Sequence, residues 1–242
     1  MKIVVINGSP RKHGATASLL NELVNALSKF SDVEVQIYHV ADMNMKFCQG
    51  CCRCYEIGSC FLKDDLEFLS EKIEKADGVI LGSPTYACNI SAQMKLIIDR
   101  CHFVLEQLLY QKYAVSVITF ENYGGQSSLK QLNQVLSYSG ASISGHILAQ
   151  VPFSKHGYSH KDFSNEVQKV SNQIYRDIRE KHCYLFQSIK HAFIFRIGIM
   201  PFVRKKGNQY SGVLLHWKKN GILPQKTNPE ESACQKRKCM VK

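Results

Sequence analysis

The chain has 242 residues, of which 45% are hydrophobic, and a formal net charge of +11. This length and apolar content predict one α/β domain with a full core and an extension. No apolar run approaches the ~20 residues that a helix needs to cross a bilayer. The charge is uneven: residues 1–180 hold 18 basic and 18 acidic residues, whereas residues 181–242 hold 13 and 2. The body is therefore neutral and the tail is a basic appendage.

The start of the chain bears on the compartment. Met1-Lys2 leads directly into an apolar strand pattern, without an apolar targeting segment. We therefore expect a cytoplasmic protein whose ten cysteines stay reduced, rather than a secreted disulfide framework. Thiols in a reducing compartment are available for metal binding or redox chemistry.

The first elements form a strand, a polar loop and a helix. Lys2–Asn7 is a continuous apolar run, typical of a strand buried on both faces, and 17–30 shows helical spacing. Between them, 8–16 carries serine, arginine, glycine and threonine. Such a junction binds anions, because free backbone N–H groups and the positive end of the helix dipole point at the loop. It matches neither dinucleotide nor nucleoside triphosphate motifs, so a phosphate monoester is the predicted ligand. The alternative is an ordinary βα turn.

A second strand is predicted over 33–40, and a cysteine-rich loop follows over 44–64. The loop contains the spacing C-x2-C-x2-C-x5-C, formed by Cys48, Cys51, Cys54 and Cys60. Thiolates at this spacing on an irregular loop can enclose a [4Fe–4S] cluster, and the spacing differs from structural zinc sites. Cys52 abuts Cys51 and is not a predicted ligand. The alternative is a cysteine-rich turn without metal.

The later elements continue the alternation of strands and helices. The predicted strands are 78–82, 114–119 and 141–151, and the predicted helices are 66–75 (capped by Asp64 or Asp65), 92–105 (capped by Ser91), 127–139 and 162–182. Five strands alternating with helices predict an α/β fold with a doubly wound parallel sheet and right-handed crossovers.

Three loops then meet at the carboxyl ends of the strands, where open α/β sheets bind ligands: 8–16, 83–90 and 119–126. The first suits a phosphate. The other two offer backbone amides, glycines that let a flat ring approach closely, and the side chains of Tyr86 and Asn89. A planar cofactor with one phosphate is FMN. For Tyr86 and Tyr123 the alternative is packing in the core or at the rim.

These motifs resemble a known family. The segments 8–16, 82–86 and 91–100 are similar to the flavodoxin-like NAD(P)H-dependent FMN reductases, and the cysteine loop is similar to their iron–sulfur flavoprotein subset. The resemblance covers about residues 1–180. It implies a flavodoxin-like five-stranded parallel sheet in the order 2-1-3-4-5, noncovalently bound FMN, NAD(P)H as co-substrate and a homo-oligomer, either homodimer or homotetramer.

The resemblance also implies roles for individual residues. The phosphate would be held by Ser9, Arg11, Gly14, Ala15 and Thr16. The ring would be lined by Pro84, Thr85, Tyr86, Asn89, Ile90, Thr119, Tyr123 and Gly124. No side chain is assigned as a catalytic acid or base, because FMN carries the chemistry. Ala15 stands where the family often has asparagine, which removes one donor to the phosphate.

The extension, 183–242, lies outside the resemblance. Its stretch 184–204 is apolar, aromatic and basic at once. Packing on a neighbouring subunit or over the flavin is the first interpretation, and peripheral contact with a membrane interface is the second. Nucleic acid is not expected, since no motif beyond charge supports it. Cys234 and Cys239 fall in a stretch predicted to be solvated tail.

The leading functional hypothesis is an FMN-dependent oxidoreductase. It would take electrons from NAD(P)H and pass them to a small acceptor or, through a [4Fe–4S] cluster, to an electron-transfer partner. One alternative is a non-enzymatic electron carrier of the flavodoxin type. Another is a flavin-bearing binding module attached through its basic tail.

Overall fold

The structure, a computed structural model, describes residues 1–152 and 163–223. Its strands are Lys2–Asn7 (β1), Glu34–His39 (β2), Gly78–Tyr86 (β3), Asn89–Ile90 (β4), Tyr113–Phe120 (β5) and Ser142–Gln150 (β6). Its helices are Ala15–Leu27 (α1), Arg53–Ile57 (α2), Leu66–Glu74 (α3), Ala92–Arg100 (α4), Gly125–Tyr138 (α5), Ser164–Glu180 (α6), Leu185–Phe193 (α7), Met200–Lys206 (α8) and Ser211–Lys219 (α9).

Strand β1 lies inside a parallel sheet. This strand pairs with β2 on one side and with β3 on the other, and β5 and β6 continue the sheet in the order β2-β1-β3-β5-β6. The two-residue β4 pairs antiparallel with the end of β3. If the short β4 is left out of the count, β5 and β6 are the fourth and fifth strands, and the order is the predicted 2-1-3-4-5. The prediction of a doubly wound parallel sheet is confirmed.

The core lies between the sheet and its helices. In β1, residues 3–7 are all buried, as the unbroken apolar run predicts. Leu19, Leu20, Leu23 and Leu27 of α1 are completely buried against the same cluster, which also includes Ile174 of α6. Each such side chain contributes roughly 1.5–3 kcal/mol on burial. This packing fixes the strand ends from which the site loops emerge.

The two largest errors in the predicted boundaries lie at the third strand and at the helix after it. The third strand does not stop at Gly82 but runs to Tyr86, since residues 83 and 84 still pair with β5. The helix that begins at Ala92 stops at Arg100 rather than at residue 105, and His102 shortly after it has φ 51°, outside the right-handed helical region. The predicted start of the last domain helix, Asp162, lies outside the described residues; the described helix begins at Ser164.

Contacts divide the chain into two compact units. The first contains Met1–Cys51 and Leu62–His182, and the second contains Cys52–Phe61 together with Cys183–Lys242, described as far as residue 223. The sequence placed the whole cysteine loop, 44–64, in the first domain. The structure instead groups the second half of that loop with the extension, because α2 packs on α9.

The second unit has a small core of its own. Trp217 is completely buried, and Phe195 meets it edge to face with ring centroids 4.9 Å apart. Pro201 lies in the first turn of α8, which continues directly from a π-helical segment, Ile194–Ile199. Helix α7, by contrast, leaves an aromatic side chain in solvent, since Phe186 is 87% exposed. No helix in residues 1–152 or 163–223 is long and apolar enough to cross a membrane.

Candidate functional site

The first two site loops are joined by hydrogen bonds that backbone carbonyl oxygens accept. The amide of Gly8 donates to the carbonyl oxygen of Gly82 at 2.8 Å, and Ser91 Oγ donates to the carbonyl oxygen of Gly8 at 2.6 Å. Ser91 also caps α4, as predicted, by accepting from the amide of Met94 at 3.2 Å. A Cβ on Gly8 would lie 2.7 Å from Met94 Cβ, so only glycine allows this approach. The loops after β1 and β3 are therefore held side by side.

The loop after β1 is shaped by short side chains bonding to nearby amides. Asn7 Oδ1 accepts from the amide of Ser9 at 3.0 Å, and Ser9 Oγ accepts from the amide of Arg11 at 3.1 Å. These bonds turn the chain before Gly14, which precedes the first turn of α1 with extended backbone and no side-chain cap. The first amides of α1, at Ala15 and beyond, have no intrahelical acceptor and suit an anion.

His39 supports this loop from the end of β2. Its Nδ1 lies 2.9 Å from Asn7 Nδ2, and the amide of Asn7 is oriented by the bond that its oxygen accepts from Ser9. Nδ1 must therefore be the unprotonated, accepting nitrogen. Burial, with the nearby charges of Lys12 and His13, lowers the pKa of His39 below 6.5, which favours this neutral form.

The third loop joins the first through two buried hydroxyls. Thr16 Oγ1 and Thr119 Oγ1 are 2.7 Å apart, and the two residues are 2% and 0% exposed. The hydroxyl of Thr16 was predicted to face a phosphate. The structure shows that it also ties α1 to the end of β5.

The second loop is a tight hairpin between β3 and β4. Tyr86 pairs with Asn89, and the two turn residues, Ala87 and Cys88, have φ of 47° and 61°. Positive φ at both turn positions is the mark of a type I′ hairpin, which normally selects glycine, asparagine or aspartate. Neither residue is of that type, so the turn carries backbone strain of the kind that gathers at ligand sites. Asn89 Oδ1 accepts from the amide of Ile90 at 2.7 Å.

Gly124 brings the third loop against this hairpin. It has φ 83°, and a Cβ there would lie 2.7 Å from Cys88 Cα. Around the same edge, Tyr86 is 38% exposed and Tyr123 is 76% exposed, so Tyr123 is a rim residue and not a core residue. The Thr85 hydroxyl is buried and has no partner among the described residues. Pro84, one residue earlier, pairs with Thr119 across the strands.

The beginning of the cysteine loop is anchored to the first unit. The amides of Asn44 and Lys46 donate to Asp65 and Asp64 at 2.7 and 3.0 Å. Arg100 binds the carbonyl of Lys46 at 2.7 Å and forms a fully buried ion pair with Asp64 at 2.5 Å. Burial alone would raise the pKa of Asp64, but the hydrogen bonds from Arg100 and two backbone amides outweigh it and lower the pKa. Asp64 also accepts from the amide of Leu66, so Asp64 rather than Asp65 caps α3.

The predicted ligand cysteines form no disulfide bonds in the described parts of the chain. Cys48 and Cys51 are exposed, whereas Cys54, in α2, and Cys60 are partly buried. Cys52 is exposed and lies immediately before α2, where its backbone is in the left-handed helical region with φ 58°. Within the described parts of the chain, no three His, Cys, Asp or Glu side chains are gathered as a metal site. Cys234 and Cys239 lie outside the described residues.

The chain is similar in sequence to known proteins. The sequence model of the NADPH-dependent FMN reductases matches residues 1–155. The chain belongs to that family. A curated iron–sulfur flavoprotein of Clostridioides difficile (strain 630) is 33% identical over 226 residues, which are 92% of this chain and 100% of the relative. This places the reductase among the iron–sulfur flavoproteins, and the predicted family and oxidoreductase class are confirmed.

Solved structures agree on the fold of this reductase. A flavone reductase superimposes with a TM-score of 0.60 at 12% identity, over 75% of this chain and 64% of the other. An archaeal flavodoxin gives 0.51 at 14% identity, over 74% of this chain and 99% of the other. The flavodoxin-like fold predicted from the sequence is therefore confirmed.

The reductase's residues fit FMN at the three loops. An open helix N-terminus lies beside a hairpin whose turn approaches Gly124, and the unpartnered Thr85 hydroxyl lies at the same strand end. For a [4Fe–4S] cluster the fit is one of donor chemistry, since four thiols lie in a compact spacing. Cys48 and Cys51 lie on a loop without regular structure from 44 to 52, Cys54 lies in α2, and Cys60 follows that helix. Such a loop would have to gather its thiols on binding the cluster.

Sequence reasoning missed several residues that shape the site. Asn7, His39, Cys88 and Arg100 were not singled out. Asn7 carried a signal, since a fully buried polar residue at the carboxyl end of a strand is unusual away from ligand sites. His39, at the end of the second strand, is only partly buried and carried no such signal. The pairing of Arg100 with Asp64, 36 positions away, has no local sequence signature.

Proposed function

We propose that FMN binds across the loops after β1, β3 and β5. The observation that carries this proposal is their convergence, through the hydrogen bonds of Gly8 with Gly82 and Ser91, the hydroxyl pair of Thr16 and Thr119, and the contact of Gly124 with Cys88. The phosphate group would lie at the open N-terminus of α1. The ring would lie between the hairpin and the loop after β5.

Each loop contributes a different kind of interaction. The phosphate would be held by Ser9, Arg11, Gly14, Ala15 and Thr16, through amides, a hydroxyl and a guanidinium cation. The ring would be lined by Pro84, Thr85, Tyr86, Asn89, Ile90, Thr119, Tyr123 and Gly124. The backbone of 84–90 can offer amides to the polar edge of the ring, and the exposed Tyr86 and Tyr123 can cover its face.

FMN, when bound, supplies the redox chemistry, accepting a hydride from NAD(P)H and releasing electrons to an acceptor. The chain's own part is to hold the phosphate, to orient the ring and to leave one face open to the co-substrate. No side chain is required as a catalytic acid or base. The electron acceptor is proposed to be a small molecule or a partner protein, and the working protein a homodimer or homotetramer.

We also propose that Cys48, Cys51, Cys54 and Cys60 bind a [4Fe–4S] cluster, which would supply one-electron transfer. Support comes from the spacing, from four cysteines that form no disulfide bond among the described residues, and from the relative in C. difficile, which is called an iron–sulfur flavoprotein. Cys52 is proposed not to be a ligand. Its left-handed backbone turns the chain into α2 between two proposed ligands.

The phosphate site is tested by the double variant Arg11→Ala/Thr16→Ala. Each charge-assisted contact is worth roughly 1.5–3 kcal/mol, so FMN affinity should fall by at least about tenfold. Lys12→Ala is the matched control, since it removes a cation of the same loop that pairs with Asp42 and is not a proposed ligand. A double variant that binds FMN as tightly as the parent would place the phosphate elsewhere.

A further inference from the structure

Helix α2 is too short to be stable by itself. It has five residues, Arg53–Ile57, none of them buried, and isolated helices of this length do not persist in water. It contains Cys54, and Cys60 follows three residues after its end. Both ends of α2 are left-handed, Cys52 with φ 58° and Gly58 with φ 81°. Its position must therefore be imposed by whatever packs against it.

Helix α9 and the turn before it make those contacts. The ring of Tyr210 stacks on Tyr55 with centroids 4.8 Å apart and an angle of 15°. Ser211 Oγ donates to the carbonyl oxygen of Glu56 at 2.9 Å. That oxygen lies near the C-terminal end of α2, where carbonyls lack intrahelical partners. A side-chain stack and a helix-end hydrogen bond thus come from adjacent residues of the extension.

Two glycines allow the backbones to touch. A Cβ on Gly212 would lie 2.6 Å from Gly58 Cα and 2.9 Å from the carbonyl oxygen of Glu56. These are backbone atoms, which cannot swing aside as a flexible side chain can. Any residue larger than glycine at 212 must therefore push the end of α2 away from α9.

The helix that makes these contacts is itself fixed. Val213 and Trp217 of α9 are completely buried, and Phe195 packs edge to face on Trp217. Tyr210 has a second aromatic neighbour in Phe202, whose ring centroid is 5.6 Å away. The contact surface for α2 is therefore a preformed part of the extension.

We propose that Tyr210, Ser211 and Gly212 form a clamp that positions Cys54 and Cys60, so that the extension is part of the iron–sulfur site. This inference rests on the proposed cluster. Without the clamp, the last two thiols of the spacing would lie on an unrestrained loop, and a cluster would have to order them on binding. The extension then serves cofactor binding rather than attachment to another surface.

The test compares Gly212→Ala with Gly198→Ala. Both add one methyl group to a helical glycine of the extension: Gly212 lies in α9 and Gly198 in the π-helical segment Ile194–Ile199. Nothing lies within 4 Å of a Cβ at 198. The first readout needs no cluster: tryptic cleavage after Arg53 in iron-free protein. Gly212→Ala should be cut at least about tenfold faster than the parent, because local opening exposes the bond, and Gly198→Ala should match the parent.

The second readout is iron and acid-labile sulfide per chain after anaerobic preparation, with FMN content as the control for folding. Gly212→Ala should lose most of its iron and keep its FMN. Tyr210→Ala should behave like it, whereas Tyr210→Phe, which keeps the stacked ring, should retain iron. Parent protein without iron would refute the cluster itself. Iron in the parent, with equal iron and equal cleavage in Gly212→Ala, would refute the clamp.

Discussion

Gly124→Ala tests whether the hairpin and the loop after β5 must touch for FMN to bind. Gly124 has φ 83°, where a residue with a Cβ loses roughly 1–2 kcal/mol. The new methyl group would also lie 2.7 Å from Cys88 Cα and 3.0 Å from its Sγ. The apo protein can relieve this overlap by moving the hairpin outward, but the proposed ring site needs both loops in place.

The overlap with Cys88 therefore weakens FMN binding rather than the folding of the apo protein. Since each 1.4 kcal/mol changes affinity about tenfold, we expect the FMN dissociation constant to rise at least about tenfold, measured by quenching of flavin fluorescence on titration. Gly221→Ala is the control, because Gly221 also has positive φ, at 65°, but has nothing within 4 Å of its Cβ position. A Gly124→Ala protein that binds FMN like the parent would refute the proposed ring site.

Three further predictions follow from the same contacts. Because burial and nearby cations lower the pKa of His39 below 6.5, its support of Asn7 is complete above about pH 6.5 and is lost as pH falls below that value and through the lower pKa of the folded protein. The melting temperature should therefore drop with acidification, and His39→Gln should flatten the dependence. Deleting 183–242 should leave a folded protein that binds FMN but no iron, and loss of all folded protein would contradict the division into units. Cys52→Ser should keep the iron measured per chain, whereas Cys54→Ser should lose most of it, and equal iron in both would refute the ligand set.

The fold could be predicted because its signals are local. The buried run of β1 and the leucine spacing of α1 each fix an element without reference to the rest of the chain. The ends of elements were less predictable. Ala87 and Cys88 turn the hairpin although neither is a typical turn residue, because pairing of Tyr86 with Asn89 holds them in place.

The parts of the candidate site that were missed depend on contacts far apart in sequence. The sequence assigned the whole loop 44–64 to the first domain, because the loop lies between two of its elements. The structure groups 52–61 with the extension through a glycine pair, Gly58 and Gly212, that is 154 positions apart. Neither glycine is part of a motif. The packed backbones show why Gly212 lacks a side chain, and the positive φ of 81° shows why Gly58 does.

The most direct measurement is anaerobic reduction of the purified, FMN-loaded protein by NADH or NADPH, followed through the visible absorption of oxidised flavin. The proposed function predicts that at least one nicotinamide bleaches the flavin within seconds to minutes, and that the bleached protein reduces an added acceptor repeatedly. Flavin that stays oxidised with both nicotinamides in excess, yet is reduced by a chemical reductant, would contradict the oxidoreductase and leave an electron carrier.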